Sequence, residues 1–182
     1  MTPHLAGTPV LQTQRLTLRA PAMQDWARWC AFIVDDPRAR FVRGADIDLG
    51  KAWRAFGHAV GMWALRGYGS FVFCLRGSDD ALGMTGPWHP MDWPERELGW
   101  TVWQPEAEGK GLAFEAAARA RDFAFRDLGW KTAVSYIDPG NARSIALAER
   151  LGAVRDPQAE PPVPLADMPA LVFRHPAPGA AA

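Results

Sequence analysis

Apolar residues in this chain fall into short runs whose spacing switches between two and three-to-four, and those runs predict its elements. Over 15–19, Leu16 and Leu18 alternate with polar neighbours, the pattern of a half-buried strand. Asp25 is a candidate cap for a helix carrying Trp26, Trp29, Cys30 and Ile33 on one face, ended by Asp35-Asp36-Pro37. Over 51–65, Trp53, Phe56, Val60 and Trp63 recur at helical steps, although Gly57 and Gly61 weaken that helix. A nearly continuous run, Phe71-Val72-Phe73-Cys74, predicts a strand over 69–75. Gly77-Ser78-Asp79-Asp80 reads as a hairpin turn into a returning strand over 82–88. A loop stiffened by Pro90 and Pro94 leads to a strand over 97–103. Leu112, Ala116, Ala120 and Phe123 form one stripe of a helix over 113–128, with Gly129 as its C-cap. A strand over 132–137, a helix over 141–151 stopped at Gly152, and a final strand near 170–173 complete the pattern.

These elements describe an α+β (mixed α/β) chain: antiparallel strands and two early helices, then a strand–helix–strand–helix unit. Residues 1–9 and the Pro/Ala/Gly-rich tail 176–182 read as loosely ordered ends of a single domain over 10–175. At 182 residues with 48% hydrophobic and 22% charged content, the composition is that of an ordinary soluble globule. A formal net charge of zero gives no electrostatic footprint for nucleic acid or an anionic membrane. No apolar run reaches membrane-spanning length, and residues 1–9 lack the features of a signal peptide. Cys30 and Cys74 sit in apolar surroundings and read as buried thiols of a cytoplasmic protein. No cluster of residues has metal-ligand spacing.

Chemistry enters at Glu106-Ala107-Glu108-Gly109-Lys110-Gly111-Leu112-Ala113, between a strand and the longest apolar-striped helix. Glycines at such a turn let backbone N–H groups approach a ligand, and the helix start behind them is partially positive, so the segment suits a phosphate. The spacing is not that of a dinucleotide fingerprint, because Phe114 stands where a third glycine is required, nor that of a nucleoside-triphosphate loop.

The order of motifs from Arg15 to Leu151 resembles the GNAT superfamily of acyl-CoA-dependent N-acetyltransferases, in its RimJ/RimL-like branch. Residues 11–19 are similar to that branch's opening strand. Glu97-Leu98-Gly99-Trp100, Gly109-Lys110-Gly111-Leu112-Ala113-Phe114-Glu115-Ala116, Asp138-Pro139-Gly140-Asn141-Ala142-Arg143-Ser144 and Glu149-Arg150-Leu151-Gly152 follow in the family's order. The resemblance implies a GNAT fold in which the strands at 97–103 and 132–137 splay to admit the pantetheine arm of acetyl-CoA. It implies backbone N–H groups of Glu108, Gly109, Lys110, Gly111, Leu112 and Ala113 on the pyrophosphate. Asn141 would bond pantetheine amides, and Arg143 would stand near the phosphates. Glu97 is implied as the base acting on the amine, through a water, and Ser144 as the group that steadies the leaving thiolate. Two positions depart from the family: Glu106, where Gln or Arg is usual, and Ala153, where Phe is usual.

The segment 88–97 would face the acceptor. Trp88 and Trp93 offer aromatic faces and Glu95 a carboxylate, a combination that attracts a cationic amine. Glu95 and, more weakly, His89 rival Glu97 as the base. The reading is an acetyl-CoA-dependent N-acetyltransferase acting on a primary amine, a protein N-terminus or a small molecule, by direct transfer in a ternary complex. Its alternative is a non-catalytic acyl-CoA-binding or protein-interaction module on the same fold. Relatives are often dimers, and nine tryptophans would suit a homodimer interface.

Overall fold

A computed structural model describes residues 5–42, 47–163 and 169–177. The expectations for the first four residues and for the last five lie outside these. Eight strands form one sheet: β1 (Leu11–Gln12), β2 (Leu16–Arg19), β3 (Phe71–Leu75), β4 (Gly83–Trp88), β5 (Glu97–Val102), β6 (Thr132–Ile137), β7 (Val154–Arg155) and β8 (Leu171–Pro176). Their order is β1-β2-β3-β4-β5-β6-β8-β7, and every neighbouring pair is antiparallel except β5 with β6. The helices are α1 (Trp26–Cys30), α2 (Leu49–Arg66), α3 (Leu112–Arg126) and α4 (Ala142–Arg150).

The continuous apolar run of β3 is explained by burial on both faces. Phe71 and Phe73 pack with Leu16, Leu18 and the α3 stripe Leu112, Ala116, Ala120 and Phe123. Val72 points to the other face, against Trp29, Phe32, Ile33 and Phe56 from α1, the turn after it, and α2. Helix α3 thus covers one face of the sheet and α1 with the first half of α2 the other, while Trp63, near the end of α2, joins the α3 side against Phe71.

The parallel pair is the feature that positions the site. Strands β5 and β6 meet at a single register pair, Glu97 with Val134, and then diverge. The junction is fastened twice: the Val134 N–H donates to Arg96 O (2.9 Å), and Ser135 Oγ donates to Leu98 O (2.6 Å). His175 of β8, fully buried, lies with Nε2 2.9 Å from Ser135 Oγ. The serine's one proton goes to the carbonyl, so the imidazole N–H donates to the serine oxygen. Burial, with Arg121 nearby, holds the His175 pKa down at about 4, so the ring is neutral.

Several expected boundaries shift for local reasons. Asp25 does not cap α1; its buried carboxylate receives both terminal nitrogens of Arg19 (2.8 Å each) and the Ala22 N–H. After Cys30 the helix widens into a π turn over Ala31–Asp35. Helix α2 begins at Leu49 because Asp48 accepts the Lys51 N–H at 2.7 Å. Trp53 is not on the buried face of α2: it is half exposed and meets the edge of Trp26. Strand β8 continues to Pro176, where fraying was expected, because it pairs along the full length of β6. Of the two cysteines Cys74 is buried, and Cys30 is partly exposed; both are free thiols.

Candidate functional site

Where β5 and β6 part, a cleft of about 1040 Å³ opens, walled by β5 (Trp100, Thr101, Val102), the turn at Glu108–Gly111, the start of α3, and α4 with its cap, Asn141 to Arg150. Phe32, Arg38 and Phe41 close it from the far side. The lining takes in β5 and the glycine turn but no residue of β6.

The glycine turn is built for exposed amides. Gly109 and Gly111 adopt φ of 71° and 73°, a left-handed conformation that L side chains rarely take. Two such residues turn the chain tightly into α3, and the N–H groups of Gly109, Lys110, Gly111, Leu112 and Ala113 have no acceptor among the described residues. Arg15 braces the turn from behind, donating to Lys110 O (3.0 Å) while its Nε pairs with Glu115 (2.6 Å). Glu108 behaves differently from its neighbours. Its amide is already given to Pro105 O at 3.1 Å, and its side chain faces the cleft instead. There the carboxylate pairs with Arg38 (2.7 Å) and with Arg143, bridging segments on both lips. Glu106, the residue that departs from the family, is exposed and stands outside the cleft walls.

Arg38 was not legible as a site residue. Besides Glu108 it binds Asp36 through both carboxylate oxygens and reaches the Trp103 carbonyl (2.9 Å), so it ties the segment before α2 to the end of β5. Arg150 lies over the Phe114 ring, 4.0 Å from its centroid. Lys110 is exposed.

Asn141 caps α4 by accepting the Ser144 N–H at 3.2 Å. Ser144, in the first turn, lines the cleft; its hydroxyl oxygen accepts the Trp100 indole N–H at 3.2 Å rather than bonding to its own helix.

Glu97 stands at the junction, on the opposite face of β5 from Leu98 and Trp100. Its cross-strand neighbour on that face is Trp88. The Trp93 indole donates to the Glu97 carboxyl at 2.6 Å. Loss of solvation nevertheless dominates and raises the Glu97 pKa from 4.5 to about 7, the Trp93 bond pulling the other way. Glu97 is not among the residues that line the cleft; on its face of β5, Gly99 stands between it and the cleft residue Thr101. A Cβ on Gly99 would sit 3.5 Å from the Glu97 oxygen.

The two rivals are placed otherwise. Glu95 is held by Arg174 through two bonds of 2.6 and 2.9 Å. His89 lies in a separate shallow depression with Glu95, Arg96 and Lys131, and burial beside Arg66 and Arg96 lowers its pKa. Trp88 is half-buried and contacts the His58 ring of α2 (centroids 4.8 Å). Burial first, and then the carboxylates of Glu95 and Glu97, push the Tyr136 phenol well above the usual range. Its hydroxyl is buried without a partner among the described residues.

Residues 15–154 match the family model described as an acetyltransferase (GNAT) domain. Among solved structures, an acetyltransferase from Agrobacterium tumefaciens str. C58 is 37% identical, with a TM-score of 0.84 over 96% of this chain and 98% of that one. A ribosomal-protein-S5-alanine acetyltransferase from Vibrio fischeri is 12% identical, with a TM-score of 0.71 over 96% and 100% of the two chains. Mycobacterium smegmatis RimJ in complex with CoA-disulfide is 18% identical, with a TM-score of 0.69 over 92% and 87%. At the last two identities the likeness is one of fold.

Proposed function

Since the chain belongs to the GNAT acetyltransferase family and is an N-acetyltransferase, we propose that it moves the acetyl group of acetyl-CoA to a cationic primary amine by direct transfer in a ternary complex. The observation that carries this is the coincidence of three things around one strand, β5: a cleft of about 1040 Å³ against its far half, unpaired amides at the mouth of that cleft, and a carboxyl with a pKa near 7 at the strand's start. The RimJ fold bound to CoA-disulfide supports the choice of cofactor, and we place the chain in the RimJ/RimL-like branch.

The amides of Gly109 to Ala113 hold the pyrophosphate, with the start of α3 adding its partial positive charge. Pantetheine lies between β5 and β6, within reach of Asn141. The acceptor amine arrives on the Trp88–Trp93 side, where indole faces and Glu97 favour a cation. Glu97 takes a proton from the ammonium, directly or through one water, which a carboxyl of pKa near 7 does far more readily than one of pKa 4.5. The amine nitrogen then attacks the thioester carbonyl. The tetrahedral intermediate collapses with cleavage of the C–S bond; as the nitrogen gives up its second proton through water to the Ser144 oxygen, the Ser144 hydroxyl proton passes to the departing thiolate. Glu95 shapes the site by fixing Arg174 and does not compete as the base. A protein N-terminus and a small amine both suit this face. Absence of a spanning helix among the described residues and two free thiols are in keeping with a cytoplasmic enzyme.

The test is a thermal melt with acetyl-CoA and with CoA, followed by free-thiol release with a panel of amines. Ligand binding to the folded state raises the melting temperature. No shift with either ligand would refute the cleft assignment; a shift without thiol release from any amine, N-terminal peptides included, would refute transfer to an amine.

A further inference from the structure

We infer that Trp100 is a positioning residue for Ser144: its indole N–H fixes the serine oxygen so that the hydroxyl proton points into the cleft. The inference deepens the reading of Ser144 given above and rests on it.

A serine in the first turn of a helix ordinarily turns its hydroxyl toward nearby backbone, which would direct the proton away from a ligand. Here the only hydrogen bond of Ser144 Oγ among the described residues is the one it accepts from Trp100 Nε1, at 3.2 Å. An indole nitrogen donates and cannot accept, so it never competes for the serine proton. With one lone pair occupied from β5, the O–H rotates among the remaining directions, which face the cleft that both residues line. The donor also withdraws electron density from the oxygen, making the O–H a better donor to a developing thiolate.

For such a bond to hold a rotamer, the indole itself must be fixed. Trp100 packs against the cluster of Ile137, Ala148, Ala153 and Phe173 beneath α4. Its ring meets the edge of His175 (centroids 6.4 Å, planes at 85°), and His175 is held by Ser135 at the strand junction. The indole therefore relates the fork of the sheet to the first turn of α4. A tyrosine or phenylalanine would fill part of that space without presenting an N–H at the same point.

The test is a double-mutant cycle of W100F and S144A, read by thiol release at saturating amine, with KM for acetyl-CoA measured for each protein. W100F is expected to lower kcat about fivefold, the effect of one neutral hydrogen bond, with KM for acetyl-CoA changed less than twofold. S144A is expected to lower kcat more, and W100F added to S144A to lower it no further. Equal effects of W100F in the presence and absence of Ser144 would overturn the positioning role while leaving Ser144 as proton donor. An unchanged kcat in S144A would overturn both. Should W100F fail to fold, 3-benzothienylalanine at position 100 keeps the ring shape and removes only the N–H. The same fivefold loss in that protein supports the role, and full kcat refutes it.

Discussion

Replacing Glu97 with glutamine removes one ionisable group and little volume, so it isolates what the environment does to that carboxyl. In the folded chain the group titrates near 7, against 4.5 for the ordinary side chain. Below pH 4.5 both folded and unfolded chains carry the proton, and the stability the neutral form contributes is fully present. Between 4.5 and about 7 the unfolded chain ionises first, so that contribution is lost as pH rises, and above 7 nothing further changes. The interval corresponds to roughly 3 kcal/mol. Glu97 is only half-buried, and solvent screening reduces this to about 1–2 kcal/mol. For a chain of this size each kcal/mol is about 2–4 °C in Tm. The Tm of E97Q minus that of the parent should therefore rise by about 5 °C between pH 4.5 and pH 8, in calorimetry or circular dichroism without ligand. Taking the difference at each pH cancels the other titrating groups. The same carboxyl should give kcat/KM an acid limb that falls tenfold per pH unit below about 7 and is absent in E97Q. A Tm difference constant within 1 °C across that range would refute the argument that desolvation at the fork governs Glu97.

The opposite sign is expected at His175, whose pKa falls from 6.5 to about 4: its stability is present above 6.5 and lost as pH drops toward 4. H175Q retains an N–H for Ser135, and its Tm should decline less than the parent's over that acid range. Gly111→Val places a β-branched residue at φ 73°, which costs about 1–2 kcal/mol and crowds the amides of the turn; the Tm rise on adding acetyl-CoA should vanish, and a retained rise would count against the phosphate cradle. Gly99→Ala sets a methyl beside the Glu97 oxygen, on the bare face of β5; kcat/KM for the amine should drop several-fold with the acetyl-CoA shift unchanged. Asp48→Ala removes the cap of α2 and should lower stability by about 1 kcal/mol in urea unfolding, without effect on CoA affinity.

What the sequence disclosed was local. The α3 stripe and the glycine turn each depend on residues a few positions apart, and both are where periodicity and turn chemistry put them. The strand pair at 97–102 and 132–137 was legible for the same reason. Contacts between distant segments were hidden. Arg38 reaches Glu108 across 70 positions, and Trp100 reaches Ser144 across 44; no spacing rule marks such pairs. Trp53 was misplaced because its neighbour Ala52, a smaller residue, takes the buried position and turns the indole outward to Trp26. Strands of two residues, such as Val154–Arg155, are too short to show alternation. Glu108 was expected to act through its amide and presents its side chain, a difference set by the single turn of 3-10 helix at Pro105–Ala107 that consumes the N–H.

The one-pair meeting of β5 and β6 leaves two strand margins inside the molecule rather than at its rim. A margin at the rim of a sheet invites pairing with any other chain. The β5 margin faces the start of α3 and α4 across the cleft, so what reaches it is selected by thickness. Neighbouring strands stand about 4.8 Å apart. A guest lying between both margins must therefore be one extended chain thick, with amides of its own to offer. A folded partner's sheet is broader than a single strand, so backbone groups held open there stay available to a slender ligand.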